Sequence, residues 1–537
     1  MLAIMLLLAA LALPVAIVFS FVGADTQGLW THLANTVLTT YVVNTLVLVA
    51  GVVGVALVSG VGTAWLVTMY AFPLRRTLEL ALVLPLAMPA YILAYAYTDL
   101  LQVTGPVQTA LRETTGWGVR DYWFPEIRSL GGAVFVLAGA LYPYVYLIAR
   151  AAFLEQSMSA VEVSRTLGLS RVRAFLRVAV PMARPAIVAG ATLVAMETLA
   201  DFGAVKYFDL EVFTTGIYRA WFAYGNPAAA AQLASILLAV VFAVVLAEQT
   251  SRGARRYAQA SASLRDLRPW QLHGWRAVVT TIACALPVTI GFVVPVVVLV
   301  AMAVDVSHEL SAARLAALAT NTALLGVVAA GVVVAVAVLV SFAAGRGASV
   351  ARRMARFTYL GYATPGVIVG VGLLIVAGAF DQAFRDAGGA GLVLSGSIAV
   401  LIYAYVVRFF AVGHGPIDAA FVGLGPRYGE AARTLGLGPA SVLWRVDAPL
   451  MRGTLMAAGA LVFVDVMKEL SATMILRPFN FDTLATEAFQ LATTERLDLA
   501  ALPSLAIAAA GLIPVILLCL GMRRVRRGLP AVMEGSL

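Results

Sequence analysis

Lysine is nearly missing from this 537-residue chain, which has only Lys206 and Lys468. Neither follows a glycine. A Walker A phosphate loop needs a Gly-Lys pair to carry an ammonium to the phosphates, so the chain has no nucleotide site of that kind. Cysteine is almost as scarce. Cys284 and Cys519 lie in separate apolar runs without metal-like spacing, which excludes a disulfide framework and a zinc site. The four histidines, His308 and His414 among them, are scattered, and no nucleophile stands with a base and an orienting group. Charge is also low: 12% of residues are charged, about half the usual share, against 61% hydrophobic and a mean hydropathy of +0.93. A chain this apolar is an integral membrane protein.

Long apolar runs define the spans. Met1 to about Ala24 lacks a basic leading segment and reads as a first span rather than a signal peptide. Further runs lie at roughly 41–68, 77–101, 131–150, 186–203 and 230–248. The second half has them at roughly 277–304, 317–344, 358–380, 391–413, 453–471 and 501–521. The expectation is an all-α membrane protein of about twelve transmembrane helices.

The halves are copies. Glu162–Pro181, EVSRTLGLSRVRAFLRVAVP, recurs without a gap as Glu430–Pro449, EAARTLGLGPASVLWRVDAP. The offset of 268 is close to half the chain, so two parallel six-helix repeats are expected. They cover 1–250 and 277–537, joined by an arginine- and serine-rich linker at 251–276. Each copied stretch reads as a short helix ended by a glycine, Gly168 or Gly436, then a second helix leading through a proline into a span. Asn44-Thr45 opens the second span and Asn321-Thr322 the eighth, while Met88-Pro89-Ala90 and Thr364-Pro365-Gly366 interrupt the third and ninth. After the fifth and eleventh spans, Phe213 and Thr215 align with Phe481 and Thr483 in outer loops suited to meeting an external protein.

Arginine sets the orientation. With the N-terminus in the cytoplasm, most of the 37 basic residues fall inside: Arg75 and Arg76, the group from Arg150 to Arg184, the linker arginines, those from Arg346 to Arg356, the group from Arg408 to Arg452, and Arg523 to Arg527. Both termini are then cytoplasmic. The net charge of +9 is explained by topology and membrane lipid, with no nucleic-acid partner.

Charges also occur inside spans. Glu197 and Asp201 lie in METLADFG, and Asp465 and Glu469 occupy the matching places in VDVMKELS beside Lys468. The i, i+4 spacing puts each pair on one face of a helix. A carboxylate costs about 2.5 kcal/mol or more at mid-membrane, so four of them belong inside the bundle. At about 1.5 Å per residue from Pro181, Glu197 sits roughly 24 Å along its helix, towards the outer mouth. Hard oxygen donors of this kind suit a hard cation. Glu197, Asp201, Asp465 and Glu469 are therefore expected to line a translocation pathway with Lys468, as transient ligands to a metal ion; the alternative is that they are interfacial carboxylates with Lys468 as a partner.

The run Glu430-Ala431-Ala432, with Gly436 after it and a proline before the next span, resembles the EAA loop of ABC importer permeases, the cytoplasmic helix-turn-helix that docks on the ATPase. The first copy keeps Glu162 and Gly168 but has Val163 and Ser164 in place of the alanines. The resemblance implies ATPase docking through Glu162, Arg165, Gly168 and Leu169, and through Glu430, Ala431, Ala432, Arg433, Gly436 and Leu437. With FTTGIYRAWF and KELSATMILRPFNFDTLAT, nearly the whole chain resembles the fused, double-length permeases of ferric-iron ABC importers. That implies a type I importer fold, an inner-membrane location, an ATPase dimer as partner, and a periplasmic or lipid-anchored substrate-binding protein. It also implies that the chain binds no cofactor of its own, with ATP and Mg on the ATPase. Thiamine and other small-solute permeases share the architecture. A twelve-span secondary transporter, coupled to a proton or sodium, would have parallel halves as well, but has no reason to keep paired docking loops. The absence of Gly-Lys predicts that the purified chain alone hydrolyses no ATP and gains substrate-stimulated hydrolysis only with an ATPase partner. Turnover by the isolated chain contradicts this.

Overall fold

In a bilayer, backbone N–H and C=O groups must be satisfied within the protein, so uninterrupted apolar sequence becomes helix. The computed structural model describes residues 2–155, 163, 164, 166–252, 269–305, 311–344, 364–425 and 427–527, and these are overwhelmingly helical. The principal helices of the first half are α1 (Leu2–Ser20), α2 (Leu38–Met69), α3 (Ala90–Leu101), α4 (Leu130–Glu155), α5 (Val180–Ala200) and α6 (Pro227–Arg252). Those of the second are α7 (Trp275–Val304), α8 (Ala312–Ala344), α9 (Gly366–Asp386), α10 (Ile398–Leu424), α11 (Arg452–Met467) and α12 (Leu497–Arg527).

Among the described residues, nine helices are long and apolar enough to cross a membrane, and two bent pairs bring the number up to eleven. The apolar stretch Leu6–Ser20 of α1 is shorter than a bilayer requires, so the expected count of twelve is not reached. The first bent pair, Arg75–Ala87 with Ala90–Thr115, turns by 95°. Pro89 stands at the break with ψ of 144°, and without an N–H it cannot continue the preceding helix. The second, Pro439–Leu450 with Arg452–Met467, turns by 79°, whereas its counterpart Arg171–Ala200 runs through. Both contain a π-helical turn, Phe175–Ala179 and Leu443–Asp447, at the repeat offset. Pro365 caps the start of α9; the residues expected to open that span at 358–363 lie outside those described.

Each half is built on three mutually packed helices, α2, α4 and α5 in the first, and α8, α10 and α11 in the second. The opening helices also pack across the repeats. The α1 helix packs on α9, and α7 packs on α2, α4 and the broken third crossing, so the boundaries 1–250 and 277–537 describe the sequence repeat rather than two separate bodies. Tyr403 of α10 donates to the Ala10 carbonyl, and Tyr97 of α3 donates to the Ile290 carbonyl at 2.7 Å, within a π-helical turn of α7. Arg128 bridges to Glu495 of the other half at 2.9 Å. That hydrogen bond holds the Glu495 carboxyl below its ordinary range. Of the linker, 253–268 lies outside the described residues. Its end forms β2 (Trp270–Gln271), parallel to β1 (Tyr70–Ala71), with Trp270 against Trp65 and Tyr70.

The segments expected as outer loops are helices packed into the bundle: Gly203–Tyr207 and Phe213–Phe222 in the first half, Ser471–Leu476 and Leu484–Thr493 in the second. Their register is shifted by three residues from the constant offset of 268 expected from the sequence. Thr215 Oγ1 accepts from Val212 N at 3.1 Å and Thr486 Oγ1 from Thr483 N at 2.8 Å, so Thr215 corresponds to Thr486, and Phe213 to Leu484. Asn44 and Asn321 do not open their spans but lie within α2 and α8, where they hold these segments. Asn44 Nδ2 donates to Glu211 O at 2.9 Å and Asn321 Nδ2 to Asp482 O at 3.1 Å, while Thr45 and Thr322 hydroxyls accept from Phe213 N and Leu484 N. Thr322→Val keeps the shape of the side chain but leaves the buried Leu484 N–H without its acceptor. It should cost about 1 kcal/mol and lower the thermal midpoint of the purified protein. An unchanged midpoint contradicts this role.

Candidate functional site

The fifth and eleventh crossings break where their carboxylates stand. The α5 helix ends at Ala200, and Asp201 is extended at φ −64°, ψ 132°. Its Oδ1 accepts from Ala204 N and Val205 N, both at 3.1 Å. The α11 helix ends at Met467; Glu469 Oε1 accepts from Ala472 N at 2.8 Å, and Oε2 from Thr473 N at 3.0 Å and from the Thr473 hydroxyl at 2.6 Å. The expectation that each pair shares one face of an unbroken helix is therefore corrected. Glu197 and Asp465 lie on the long helices, while Asp201 and Glu469 cap the short helices that follow. The physical reason is that free backbone amides and the positive end of a helix are what a carboxylate finds most readily away from water.

The breaks converge on a cavity of about 140 Å³ between the halves. It is lined by all five residues read as pathway residues, Glu197, Asp201, Asp465, Lys468 and Glu469. Met88, Tyr91 and Tyr144 are among the residues of the first half's wall, and Arg408 and Phe409 stand on the second half's. Arg408 Nη1 donates to Glu469 Oε1 at 2.7 Å, and Lys468 Nζ lies 2.9 Å from Asp465 Oδ1. The Glu469 side chain is 1% exposed and fully engaged. Among the described residues no three His, Cys, Asp or Glu side chains are placed to hold a metal ion together, so the four carboxylates form no fixed metal cage.

Arg408 was missed because it was counted with the cytoplasmic arginines. It stands inside α10, and Arg150, counted the same way, is buried against Glu79. The signal was available: an arginine in the middle of an apolar run is an intramembrane charge first and a topology marker second. At the repeat offset its counterpart is Ala140, which lines the same cavity without a charge. Gly366 makes room for it, since a Cβ there would collide with the guanidinium.

At the other end of α5 and α11 lie the copied helix-turn-helices. Glu162 and Arg165 lie outside the described residues. Gly168 has φ 89° and Gly436 φ 85°, a conformation that L side chains resist. Leu169 N donates to Ser164 O at 3.1 Å and Leu437 N to Ala432 O at 3.2 Å, closing both helix ends in the same way. Glu430, Ala431 and Arg433 are exposed and Ala432 is buried. Leu169 and Leu437 are half-buried; the leucines that point outward are Leu167 and Leu435, 79% and 83% exposed.

A helical membrane bundle with a charged cavity between two repeats, and a paired helix-turn-helix beneath it, defines a solute permease. Residues 56–256 match the family described as the binding-protein-dependent transport system inner membrane component. The chain is 24% identical over 486 residues to an Fe(3+)-transport system permease protein of Haemophilus influenzae, covering 88% of each chain. It is 24% identical over 490 residues to a ferric transport system permease protein of Actinobacillus pleuropneumoniae, covering 84% of this chain and 67% of that one. A sulfate transport system permease protein of Salmonella typhimurium is 29% identical over 212 residues, 37% of this chain and 72% of its own. The first half thus carries a binding-protein-dependent transport permease domain, and most of the chain is similar to double-length ABC importer permeases.

Among the described residues no atom lies within 4 Å of a Cβ built on Gly168 or Gly436, so backbone conformation is what restricts these positions. Valine at either should strain the turn by about 1–2 kcal/mol and uncouple transport, while asparagine, which tolerates positive φ, should keep most of it. Equal loss with both residues, or no loss with valine, contradicts this.

Proposed function

We propose that this permease carries ferric iron, delivered by a substrate-binding protein on the outer side and driven by an ATPase dimer on the cytoplasmic side. The single observation that carries the reading is the cavity between the halves, where four carboxylates face only two cations. An excess of hard oxygen donors favours a hard cation. The similarity to Fe(3+) and ferric permeases over most of the chain supports the same cargo. Permeases for sulfate match a single half, and the excess of negative charge disfavours an oxyanion.

In this reading ATP and Mg bind the partner, and this chain supplies the path. Both termini and both helix-turn-helices face the cytoplasm, with arginine concentrated on that side. Glu162, Arg165, Gly168 and Leu169 in the first half, with Glu430, Ala431, Ala432, Arg433, Gly436 and Leu437 in the second, form the docking surfaces, joined by exposed Leu167 and Leu435. The first docking helix continues as one rod from Arg171 to Ala200, so its displacement reaches Glu197 and Asp201 directly. The second reaches Asp465 and Glu469 through a 79° bend. Rocking of these rods opens the cavity to one side and then the other, and carboxylates that are dispersed rather than caged release what they bind.

Iron uptake in cells separates transport from structure. Glu197→Gln and Asp465→Asn, which remove no helix cap, should lower uptake by roughly tenfold, about 1.4 kcal/mol, with normal membrane levels and ATPase assembly. Asp201→Asn and Glu469→Gln should also reduce the amount of folded protein. Near-normal uptake in both of the first two variants contradicts the pathway role.

A further inference from the structure

The charges around the cavity are divided unevenly. The second half contributes Asp465, Glu469, Lys468 and Arg408, two of each sign; the first contributes Glu197 and Asp201 and no cation. The net negative charge of the lining therefore comes from the first half's wall.

The two cations are held differently. Arg408 is fixed by Glu469, which is itself bound to the Ala472 and Thr473 amides, and side-chain exposures of 16% and 1% leave that pair closed. Lys468 and Asp465 are 27% and 24% exposed, so their ion pair opens onto the cavity. Glu197, from the opposite half, lines the same cavity as this ammonium. Lys468 stands just past the end of α11, where a cation is also favoured by the helix dipole, but its head group is a compact charge on a four-carbon stem and can leave Asp465 without disturbing the backbone.

We propose that Lys468 is a tethered counter-ion: in the empty cavity its ammonium stands in for the cargo beside Asp465 and Glu197, and an incoming multivalent cation displaces it. The inference rests on the cationic cargo proposed above. With the ammonium in place, the cavity exposes less uncompensated negative charge within the membrane. A monovalent ion gains little by replacing a charge equal to its own, whereas a trivalent ion gains three times the attraction. The same lysine returns when the cargo leaves, which keeps binding weak enough for release.

The test is equilibrium binding of Fe³⁺, buffered with citrate, to the full permease with its ATPase in nanodiscs, together with uptake per ATP hydrolysed. Lys468→Met should bind Fe³⁺ at least tenfold more tightly and transport it more slowly, and Lys468→Arg, which keeps a tethered charge, should stay near wild type. Adding Glu197→Gln to Lys468→Met should reverse the tight binding. Lys468→Gln, which retains a hydrogen bond to Asp465, replaces the methionine variant if that one fails to insert, with the same expected tightening. Unchanged or weaker binding in the neutral variants, with binding still lost in Glu197→Gln, overturns the counter-ion role and leaves the cationic cargo standing. Absence of Fe³⁺ binding in wild type and every variant overturns both.

Discussion

A carboxylate inside a membrane bundle has to find donors, and this requirement shapes the centre of the molecule. Asp201 and Glu469 find them in the backbone amides of the short helices that follow α5 and α11, so two crossings break at matched positions instead of running through. Because those helices stop, the chain turns back into the bundle, and the segments Phe213–Phe222 and Leu484–Thr493 pack against α2 and α8 through Asn44, Thr45, Asn321 and Thr322. The third crossing breaks at Pro89 beside the same space. A cavity results because helix ends, rather than helix sides, meet there.

The same helices connect the cavity to the far side of the bundle. A helix-turn-helix closed by Gly168 or Gly436 leads into each rod, and the rod's other end carries the carboxylates. Packing of the opening helices across the repeats, α1 onto the second half and α7 onto the first, ties the repeats together at their outer edges while α5 and α11 remain at the centre. The halves are not equivalent. Arg408 faces the cavity where the first half has Ala140, and one rod is continuous where the other bends. A cargo crossing the cavity meets a neutralised wall on one side and an acidic wall on the other.

Much of this was legible in the residues, and the gaps have physical reasons. Hydropathy located the helices because a bilayer rewards uninterrupted apolar runs, but it cannot tell a straight crossing from a broken one: METLADFG is as compatible with one helix as with two. The break depends on where the Asp201 carboxylate points, which is a tertiary fact. The offset of 268 paired Asp201 with Glu469 and Gly168 with Gly436, positions where the backbone is alike in both halves. It failed beyond Gly203, where three extra residues in the second half shift the register, and matching aromatics were a weaker guide than the Thr215 and Thr486 caps. Arg408 was hidden by its type, since arginine near a predicted span end reads as a topology marker. The packing of the opening helices across the repeats leaves no trace in composition at all.

The central claim is that cargo passes through the charged space between the halves, and thiol accessibility tests it most directly. Met196 lines the cavity beside Glu197 without joining any of its ion pairs. In a variant carrying Met196→Cys with Cys284 and Cys519 replaced, the assembled transporter can be treated with a membrane-impermeant, positively charged thiol reagent from either side, in each nucleotide state. The account predicts labelling from one side in one state and from the other side in another, with protection when the cargo-loaded binding protein is present. Labelling in no state, or labelling from one side that neither nucleotide nor cargo alters, would contradict it.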